Sequence, residues 1–465
     1  MSGSPWIDEL DKSRTIEKLE KDVDADVVIV GAGIAGMSTA FFVLENTNRS
    51  VVVLDGGLLA HGASGHNAGM ISGDTEKPIY EIEKMYGAEL TKELVASFAS
   101  GWKLLVQMAE ATKTPYSTFV GYGGMRTFAD VMDELKNRSA RFALGFDPDP
   151  IIAGDIVVSE NAPYLADIPE EVKRGMRVGS PEEIQKLLHS KSNEFTAAVP
   201  ERLGVMNSAL LCQETAKYLK EKHSNRFSLF EYARTQRIAL HADGATLDAG
   251  EHTVNAKTVI LCTNGFEDFS IFNNNLRVDT SFHETVSGVV GYMLGLKAKH
   301  NPEPGGAWFM TDKNLQKGGA EEGHENQEDP YIYFTHRPRV DGTDLFSLVC
   351  VGGHEEFLPD HTAYRHDKPY PVDVRNVMRS IFSGFWEQGS SHEPLYEWHG
   401  LMGYTKSGVR LAGVEPQNPN LFYNLGCNGI GILPSIVGGE RIAKILNGEV
   451  LPQSILDPKV QSQGK

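Results

Sequence analysis

The clearest pattern of hydrophobic and polar positions lies between residues 24 and 55, in the stretch DADVVIVGAGIAGMSTAFFVLENTNRSVVVLD. A continuous apolar run at 27–30 meets a group of glycines, and an amphipathic pattern with helical spacing follows. A second apolar run at 51–54 ends on Asp55. Short continuous apolar runs are typical of buried strands, and the longer period is typical of a helix. The pattern therefore predicts a strand, a glycine-rich turn, a helix, a second strand and a terminal acid.

The turn in this unit has the glycine spacing of a dinucleotide-binding site. We expect Gly31 to permit a tight turn, Gly33 to let the backbone approach a phosphate, and Gly36 to let the helix pack against its strand. The N–H groups and the partial positive charge at the start of the helix would then face the phosphates. Asp55 would accept hydrogen bonds from a ribose hydroxyl. The complete unit predicts a bound adenine dinucleotide.

Two later segments also place a glycine turn after an apolar run. Residues 258–262 lead into Thr263-Asn264-Gly265, and a run within PNLFYNLG leads into Gly429-Ile430-Gly431-Ile432, which opens a helical pattern. A segment at 201–238 predicts a turn, a helix and a strand. Taken alone, each of these glycine turns is also typical of an ordinary loop.

The segments between them carry different signals. Residues 278–396 are rich in strand patterns, in ETVSGVVGYMLGLKA, YIYFTHRP and LFSLVCVGGHEE. The earlier segment 115–199 contains a strand-like run, GGMRTFAD, and polar helices such as SPEEIQKLLHS. The stretch TDKNLQKGGAEEGHENQEDP is polar and glycine-rich, which predicts a surface loop. A second domain is expected here.

Composition excludes several classes of function. The chain has 465 residues, 41% of them hydrophobic, and a net charge of −18 with the acids spread along its length, which argues against nucleic acid as a partner. It contains no apolar run long enough for a membrane span and no apolar signal-peptide region near its N-terminus. The four cysteines are far apart and no metal-ligand spacing occurs, so we expect a cytoplasmic protein with free thiols and no metal.

The loop after Asp55 carries a more specific motif. It is rich in small residues, lacks strand periodicity, and contains Gly62-Ala63-Ser64-Gly65-His66-Asn67-Ala68-Gly69. This resembles the G-A-S-G-x-N-x-G loop of the D-amino-acid-oxidase superfamily of FAD-dependent amine oxidoreductases, which includes glycine, sarcosine and γ-glutamylputrescine oxidases. The N-terminal lead and this motif are most similar to the γ-glutamylputrescine oxidase branch. The resemblance runs from end to end and implies FAD as the cofactor.

The resemblance also implies the fold. We expect an α/β fold, α+β overall, with a Rossmann-like FAD-binding domain and a second, mainly antiparallel substrate domain that roofs the flavin. The predicted FAD domain comprises 24–114, 200–277 and 397–450, the substrate domain comprises 115–199 and 278–396, and 1–23 and 451–465 form a lead and a tail. The residues expected to hold FAD are Gly31, Gly33, Ile34, Ala35, Gly36, Asp55, Gly56, Ala63, Ser64, Gly65, His66, Asn67, Ala68, Thr263, Gly265, Gly429, Ile430, Gly431 and Ile432.

The chemistry implied by the family is oxidation of a CH–NH bond in an amine or amino acid derivative. Hydride leaves the carbon beside the nitrogen for flavin N5, and the resulting imine hydrolyses. Two alternatives stay open: an FAD-dependent dehydrogenase that oxidises the CH–OH bond of a hydroxy acid, and a non-catalytic flavoprotein.

The segment 398–408, WHGLMGYTKSG, departs from the family in its substrate-binding position. It resembles the W-x-G-L-R-P-x-T-x-D-G segment of glycine oxidase, in which the Arg binds the substrate carboxylate. Met402 stands at that position, so Arg410 or Arg337 would have to substitute, or the substrate lacks a carboxylate beside the reacting carbon. The same region offers no cysteine for the flavin tether of sarcosine oxidase.

His66 raises the possibility of a different tether. It aligns with the flavin-carrying histidine of the dimethylglycine dehydrogenase group, whose motif reads S-T-W-H-A-A-G, whereas relatives with non-covalent FAD have Arg there. Because most loop histidines are simply hydrogen-bonded side chains, we expect non-covalent FAD and keep His66 as an alternative attachment site.

A third departure concerns the electron acceptor. Sarcosine-oxidase-like enzymes place a Lys over the flavin in a segment K-x-G-Y-H, and Cys350 stands in its place in the matching stretch 350–354. The loss of the lysine indicates either a slow oxidase, with O₂ as the electron acceptor, or a dehydrogenase with another acceptor. Cys350 itself is more typical of a buried core residue. His354 or Lys406 would supply the positive charge instead.

Further candidates come from the roofing strands. Tyr333, with Tyr331 and Phe334, would form an aromatic box for a cationic amine, although such an alternation is also typical of a strand core. His336 and Arg337 follow on the same strand. The complete set of candidates is Tyr404, His354, Lys406 and His283 for catalysis, and Tyr333, His336, Arg337, Met402 and Arg410 for substrate binding.

Overall fold

The computed structural model describes residues 3–274, 280–311, 331–386 and 393–463. Its α-helices are α1 (Pro5–Asp8), α2 (Ile34–Asn46), α3 (Ile79–Tyr86), α4 (Ala88–Thr112), α5 (Phe128–Ala143), α6 (Asp155–Glu160), α7 (Ala162–Ala166), α8 (Glu170–Lys173), α9 (Pro181–Leu187), α10 (Ser208–Lys222), α11 (Val372–Phe385), α12 (Ile432–Leu446) and α13 (Pro458–Gln463). Its strands are β1 (Val23–Val30), β2 (Val51–Leu54), β3 (Met70–Ser72), β4 (Tyr116–Met125), β5 (Ile151–Gly154), β6 (Met176–Gly179), β7 (Ala197–Met206), β8 (Phe227–Phe230), β9 (Thr235–Leu240), β10 (Ala245–Ala249), β11 (His252–Leu261), β12 (Ser270–Asn273), β13 (Ser287–Ala298), β14 (Gly305–Met310), β15 (Tyr331–Asp341), β16 (Asp344–Leu358), β17 (Tyr396–Tyr404), β18 (Leu411–Glu415) and β19 (Asn418–Leu425).

The first sheet has a parallel centre made of β8, β2, β1, β11 and β19. The apolar runs that end β1 and fill β2 are buried, since one face packs against helices and the other against the antiparallel part of the same sheet. β10 and β9 continue antiparallel from β11, β12 pairs in parallel with β9, and β18 pairs with β19. All parallel strands of the centre end at one edge, and ligands bind at that edge in open parallel sheets.

The second sheet is mainly antiparallel and runs β17-β13-β16-β15-β14-β4-β7-β5-β6, with β3 added beside β7. Among the described strands of this second sheet, only the pairs β4–β14 and β5–β6 are parallel. The predicted α/β fold with a mainly antiparallel second sheet is confirmed. The predicted domain boundaries at 200 and 397 fall inside β7 and β17, which both pair within the second sheet.

Helices α2 and α12 form the closest helix contact behind the first sheet. A Cβ placed at Gly439 would lie 2.7 Å from the backbone nitrogen of Thr39, so the two backbones approach as only glycine permits. The apolar side chains of α2, α4, α10 and α12 merge with those of β1 and β2 into the largest core. This packing fixes the first turns of α2 and α12 relative to each other.

Local details differ from the sequence pattern in one segment. The run GGMRTFAD, expected as a strand, divides at Met125, where β4 ends. Thr127 and Asp130 form a reciprocal capping box that starts α5, and this local hydrogen bonding favours the helix.

The predicted surface loop at 311–330 lies, apart from Thr311, outside the described residues. Each described helix is too short or too polar to cross a membrane.

Candidate active site

A cavity of about 1370 Å³ lies between the two sheets. Its floor is formed by the β1–α2 turn, the loop at 62–68, the turn after β11 and the first turn of α12. Its roof is formed by residues of β13, β14, β15 and β17. The cavity thus lies at the edge where the parallel strands end.

The β1–α2 turn has the geometry that its glycines predict. Gly31 has a φ of 104°, and a Cβ there would lie 2.6 Å from the carbonyl oxygen of Cys262. A Cβ at Gly36 would lie 1.9 Å from the carbonyl oxygen of Gly31. Any larger side chain would force the turn apart, so the close approach of α2 to β1 depends on both glycines.

Asp55 lines the cavity from the end of β2. One carboxylate oxygen accepts the N–H of Ala32 at 2.7 Å and the other accepts the N–H of Gly57 at 2.8 Å. Burial raises the pKa of Asp55 above its ordinary value, and the two N–H donors act in the opposite direction. The carboxylate is therefore fixed beside the turn, where its remaining lone pairs can accept hydroxyl groups of a ligand.

The loop at 62–69 is held by Asn67 and by the N-terminal lead. The side-chain amide of Asn67 donates to the carbonyls of Ala63 and Ser64, each at 3.0 Å, and its oxygen accepts the N–H of Gly69 at 2.7 Å. The indole N–H of Trp6 donates to the carbonyl of Asn67 at 2.6 Å. Sequence reasoning missed this role of the lead because nothing in its charged pattern predicts a buried tryptophan.

The opposite end of the floor is built by two turns. Asn264 has a φ of 61° and its side-chain oxygen accepts the N–H of Cys427 at 2.9 Å, which joins the turn after β11 to the turn before α12. Gly429, with a φ of 74°, and Gly431 line the cavity ahead of the first turn of α12. Two helix N-termini, those of α2 and α12, therefore border one cavity.

These features fit an adenine dinucleotide with a bulky second half. The α2 turn offers a backbone cradle that a Cβ would fill, and Asp55 offers a buried carboxylate beside it. At the opposite end of the bound dinucleotide, the helix dipole of α12 would stabilise negative charge. Of the predicted cofactor residues, those lining the cavity are Gly31, Gly33, Ile34, Ala35, Asp55, Ala63, Ser64, His66, Asn67, Ala68, Thr263, Gly429, Ile430, Gly431 and Ile432, whereas Gly36, Gly56, Gly65 and Gly265 lie behind the lining.

The roof places Met402 and Tyr333 at the cavity. A Cβ at Gly291 would lie 2.9 Å from the terminal carbon of Met402, so this small residue makes room for the methionine. Tyr331 also lines the cavity, two positions from Tyr333 and so on the same face of β15, with the two ring centroids 5.8 Å apart. Phe334 points to the opposite face and is fully buried among core residues.

Two predicted arginines are bound to other parts of the protein. Arg410 borders the cavity but is 3% exposed, and its Nε and Nη2 donate to the side chain and backbone of Asn424 at 2.6 and 2.8 Å. Arg337 forms an ion pair with Glu9 and stacks over Trp6, 4.8 Å from the ring centre. Both guanidinium groups are thereby engaged in holding the fold.

Five other candidates lie outside the cavity lining. His336 is buried against Trp386, and His283 has Nε2 3.1 Å from the carbonyl of Phe269. His354 packs beside Tyr292, and Lys406 is exposed after the end of β17. Tyr404 is half-buried beside the lining residue Gly429, and its hydroxyl lies 3.1 Å from the Cβ position of that glycine.

His66 lines the cavity from the loop side. Its Nδ1 lies 2.9 Å from the carbonyl of Gly62, and its ring stacks on His366 at 4.5 Å between centroids. Burial lowers the pKa of His66 to about 4, and the neighbouring His366 adds to the effect. The imidazole is therefore neutral at physiological pH.

Sequence reasoning missed a half-buried carboxylate that lies next to the roof. Glu76 lines the cavity, and its Oε1 accepts the hydroxyl of Tyr331 at 3.0 Å. Glu355 on β16 lies close enough to interact electrostatically with Glu76. The two glutamates and the tyrosine come from distant segments, so no local pattern could have brought them together.

Acidic residues outnumber basic residues along the cavity. The acidic ones are Asp55, Asp74, Glu76, Glu81, Asp130, Asp133, Glu134, Asp147, Asp149 and Glu201, and the basic ones are Lys136, Arg138, Arg141, Arg202 and Arg410. Arg141 forms an ion pair with Asp74, and Arg138 pairs with Glu134 at 3.1 Å. The cavity is therefore net negative, with two of its guanidinium groups already neutralised.

Comparison with known proteins gives consistent matches. A family model described as DAO, FAD dependent oxidoreductase, matches residues 26–445. The chain is 30% identical over 453 residues to gamma-glutamylputrescine oxidoreductase of Escherichia coli (strain K12), covering 94% of this chain and 87% of that protein. Among solved structures, it resembles glycine oxidase from Geobacillus kaustophilus, with a TM-score of 0.63, 17% identity, and coverage of 94% of this chain and 98% of that chain. It also resembles FAD-bound L-alpha-glycerophosphate oxidase from Mycoplasma pneumoniae, with a TM-score of 0.62, 15% identity, and coverage of 92% and 96%.

Proposed function

Because the chain belongs to the DAO family of FAD-dependent oxidoreductases, we propose that it oxidises the CH–NH bond of a cationic amine. The family confirms the predicted cofactor, FAD. The proposed substrate carries no carboxylate beside the reacting carbon. An amino acid derivative whose charged group lies further along the chain also meets this description.

The observation that supports a cationic substrate most strongly is the charge of the cavity. Ten of its lining residues are acidic and five are basic. A negative cavity attracts an ammonium group and repels the carboxylate of a hydroxy acid. The guanidinium groups of Arg410 and Arg337, which would have to bind such a carboxylate, are held by Asn424 and Glu9. The same charges disfavour the alternative of a hydroxy acid dehydrogenase.

The roof supports the same substrate class. Tyr331 and Tyr333 present aromatic rings to the cavity, and such rings attract cations through their faces. Met402 offers a flexible apolar surface in place of a carboxylate-binding arginine. The name of the Escherichia coli relative specifies a γ-glutamyl amine, and we propose an extended amine of this kind for the present chain.

FAD, when bound, supplies the chemistry that accepts an electron pair from the substrate carbon. The chain's own residues hold the cofactor at the α2 turn and Asp55, and they position the amine under the β15 strand. The N-terminus of α12 would stabilise negative charge on the reduced cofactor. The second sheet covers the reacting atoms and excludes water from them.

Anaerobic titration of the purified holoprotein tests this proposal. The panel comprises γ-glutamyl amines, polyamines, sarcosine, dimethylglycine, D- and L-amino acids, 2-hydroxyglutarate and glycerol 3-phosphate. We expect bleaching of the oxidised flavin band by amines without an adjacent carboxylate, with little or none by simple α-amino acids or by the two hydroxy compounds. Bleaching by a hydroxy compound alone would overturn the proposal. Failure of the whole panel, with photoreduction intact, would favour a non-catalytic flavoprotein.

The electron acceptor and the location remain predictions. Cys350, which stands in place of the family's lysine, is 1% exposed within the core, so it offers no charge to the flavin. The return of colour after admission of air distinguishes O₂ from another acceptor: return within seconds indicates an oxidase. We also retain the predicted cytoplasmic setting, and its test is fractionation of the native cells.

We further propose that FAD is bound without a covalent link. The Nδ1 of His66 is engaged with the Gly62 carbonyl and its ring with His366, which supports a structural role for this histidine. Precipitation with trichloroacetic acid should leave a yellow supernatant and a colourless pellet. A yellow pellet from the wild type, turning colourless in His66→Ala, would instead identify His66 as the attachment site.

A further inference from the structure

Glu76 occupies a distinctive place in the cavity. It lies between the roof and the α12 turn: its Oε1 accepts the hydroxyl of Tyr331 at 3.0 Å, and its Oε2 lies 2.7 Å from the position of a Cβ at Gly429. The carboxylate therefore borders the same space as the cofactor turn and the aromatic roof. Its hydrogen bond to Tyr331 fixes its orientation.

The groups around Glu76 are mostly acidic or phenolic. Asp74 precedes it on the same loop, Glu355 and Tyr404 approach from β16 and β17, and Tyr331 and Tyr333 approach from β15. Arg410 and Cys427 border a small void beside it, and Arg410 is bonded to Asn424 there. Glu76 thus has no guanidinium or ammonium partner among the described residues, unlike Asp74 and Glu134.

This environment changes the acidity of the carboxyl group. Burial raises the pKa of Glu76 to about 7, with Asp74 adding to the effect and Tyr331 opposing it. Burial and the charge of Glu76 also raise the pKa of Glu355 to about 8. A carboxyl group that titrates near neutral pH is suited to general acid–base chemistry.

Resting on the proposed amine oxidation, we propose that Glu76 binds the ammonium group of the substrate and accepts one of its protons. An N–H bond of the ammonium breaks, an O–H bond forms on Glu76, and no electrons leave the substrate in this step. The amine then holds a free lone pair, which the departure of hydride from the adjacent carbon requires. An alkylamine, with a pKa of about 10, otherwise arrives protonated at neutral pH.

Glu76 and Glu355 differ in their access to the substrate. Glu76 lines the cavity, whereas Glu355 is not among the residues that line it. The influence runs from Glu76 to Glu355: because the pKa of Glu355 lies near 8, Glu355 is mostly protonated over the pH range in which Glu76 ionises. Glu355→Gln therefore removes little charge near neutral pH, and we expect it to leave the pKa of Glu76 nearly unchanged.

Glu76→Gln tests the proposal through the rate of flavin reduction at saturating amine. Wild type should lose rate as the pH falls through about 7, because Glu76 becomes protonated. The variant should react about 10²-fold or more slowly at neutral pH, the usual contribution of a general base. Its rate should then rise about tenfold per pH unit towards the pKa of the amine, because only the neutral amine reacts. Glu355→Gln should retain the wild-type profile.

Binding provides a readout that is independent of turnover. A related amine without hydrogen on the adjacent carbon is titrated calorimetrically in two buffers with different ionisation enthalpies. Below pH 7, wild type should release about one proton on binding, because the ammonium displaces the proton of Glu76, and the release should vanish above pH 8.

Glu76→Gln should release no proton at any pH. Glu76→Asp, which keeps the charge, should retain the release, and the exposed Glu89→Gln should match wild type throughout.

The outcomes separate this inference from the proposed function. Wild type bleached by amines, with Glu76→Gln showing the same pH profile and the same proton release, would overturn the role of Glu76 alone. Wild type that neither binds nor oxidises any amine would overturn both. FAD content and the thermal unfolding midpoint of each variant show whether a loss of rate comes from a loss of fold.

Discussion

Replacing Gly36 with Ala is expected to reduce bound FAD to less than about one tenth of the wild-type content. The added Cβ would lie 1.9 Å from the carbonyl oxygen of Gly31 and would also press on the side chain of Ile29. The turn must open to relieve this overlap, and the N–H groups at the start of α2 then lose their alignment with the phosphates. Overpacking of this kind also costs about 1–3 kcal/mol of stability. The ratio of flavin to protein absorbance after gel filtration, together with urea unfolding of the apoprotein, measures both effects.

Gly384→Ala provides the matched control. Gly384 lies exposed in α11, outside the cavity lining, and a Cβ there meets nothing within 4 Å. Its replacement should leave the FAD content unchanged and raise the free energy of unfolding by about 0.4–1 kcal/mol, since alanine restricts the unfolded chain. Full FAD occupancy in Gly36→Ala would contradict the role assigned to this glycine.

Trp6→Ala is expected to destabilise the protein by about 3–5 kcal/mol, the usual cost of removing a buried aromatic side chain. Trp6 is 0% exposed, and its indole N–H donates to the carbonyl of Asn67 at 2.6 Å. A Cβ at Gly69 would lie 2.7 Å from the ring, which shows how closely the loop packs on it. Because this loop lines the FAD cavity, weaker FAD binding should accompany the loss of stability. Urea unfolding and fluorescence titration of the apoprotein with FAD measure the two effects.

Ile16→Ala in the same N-terminal lead distinguishes specific support from a general effect of altering the segment. Ile16 is 41% exposed and lies away from the loop packing described for Trp6. Its replacement should change the free energy of unfolding by no more than about 0.5 kcal/mol and leave FAD affinity unchanged. Equal effects of the two variants would show that the packing of Trp6 on the loop has no special role.

The cofactor half of the site could be predicted because its determinants are local. The apolar runs of β1 and β2, the three glycines between them and Asp55 lie within one continuous unit, and their spacing imposes the turn. The family resemblance in the loop at 62–69 added FAD as the particular dinucleotide. The same local signals located the turn before α12, although they could not show that it borders the same cavity.

The substrate half was less predictable because side-chain partners are set by distant segments. Arg410 and Arg337 were reasonable candidates for binding a carboxylate, yet Asn424 and Glu9 hold them. Neither partner can be inferred from the spacing around either arginine. His354 and Lys406 also fall outside the cavity lining, since the strand register and the end of β17 determine where they point.

The sequence by itself determined the strand–turn–helix unit, the FAD family, the mainly antiparallel second sheet and the absence of an arginine at Met402. The strand–turn–helix unit and Met402 follow from local periodicity and contiguous motifs, and the family resemblance carried by those motifs implied FAD and the mainly antiparallel sheet. The tertiary structure alone decided that Trp6 supports the cofactor loop and that Glu76, 255 residues from Tyr331 along the chain, meets it beside the α12 turn. It also decided the net negative charge of the cavity, because burial and pairing depend on which distant segments fold together.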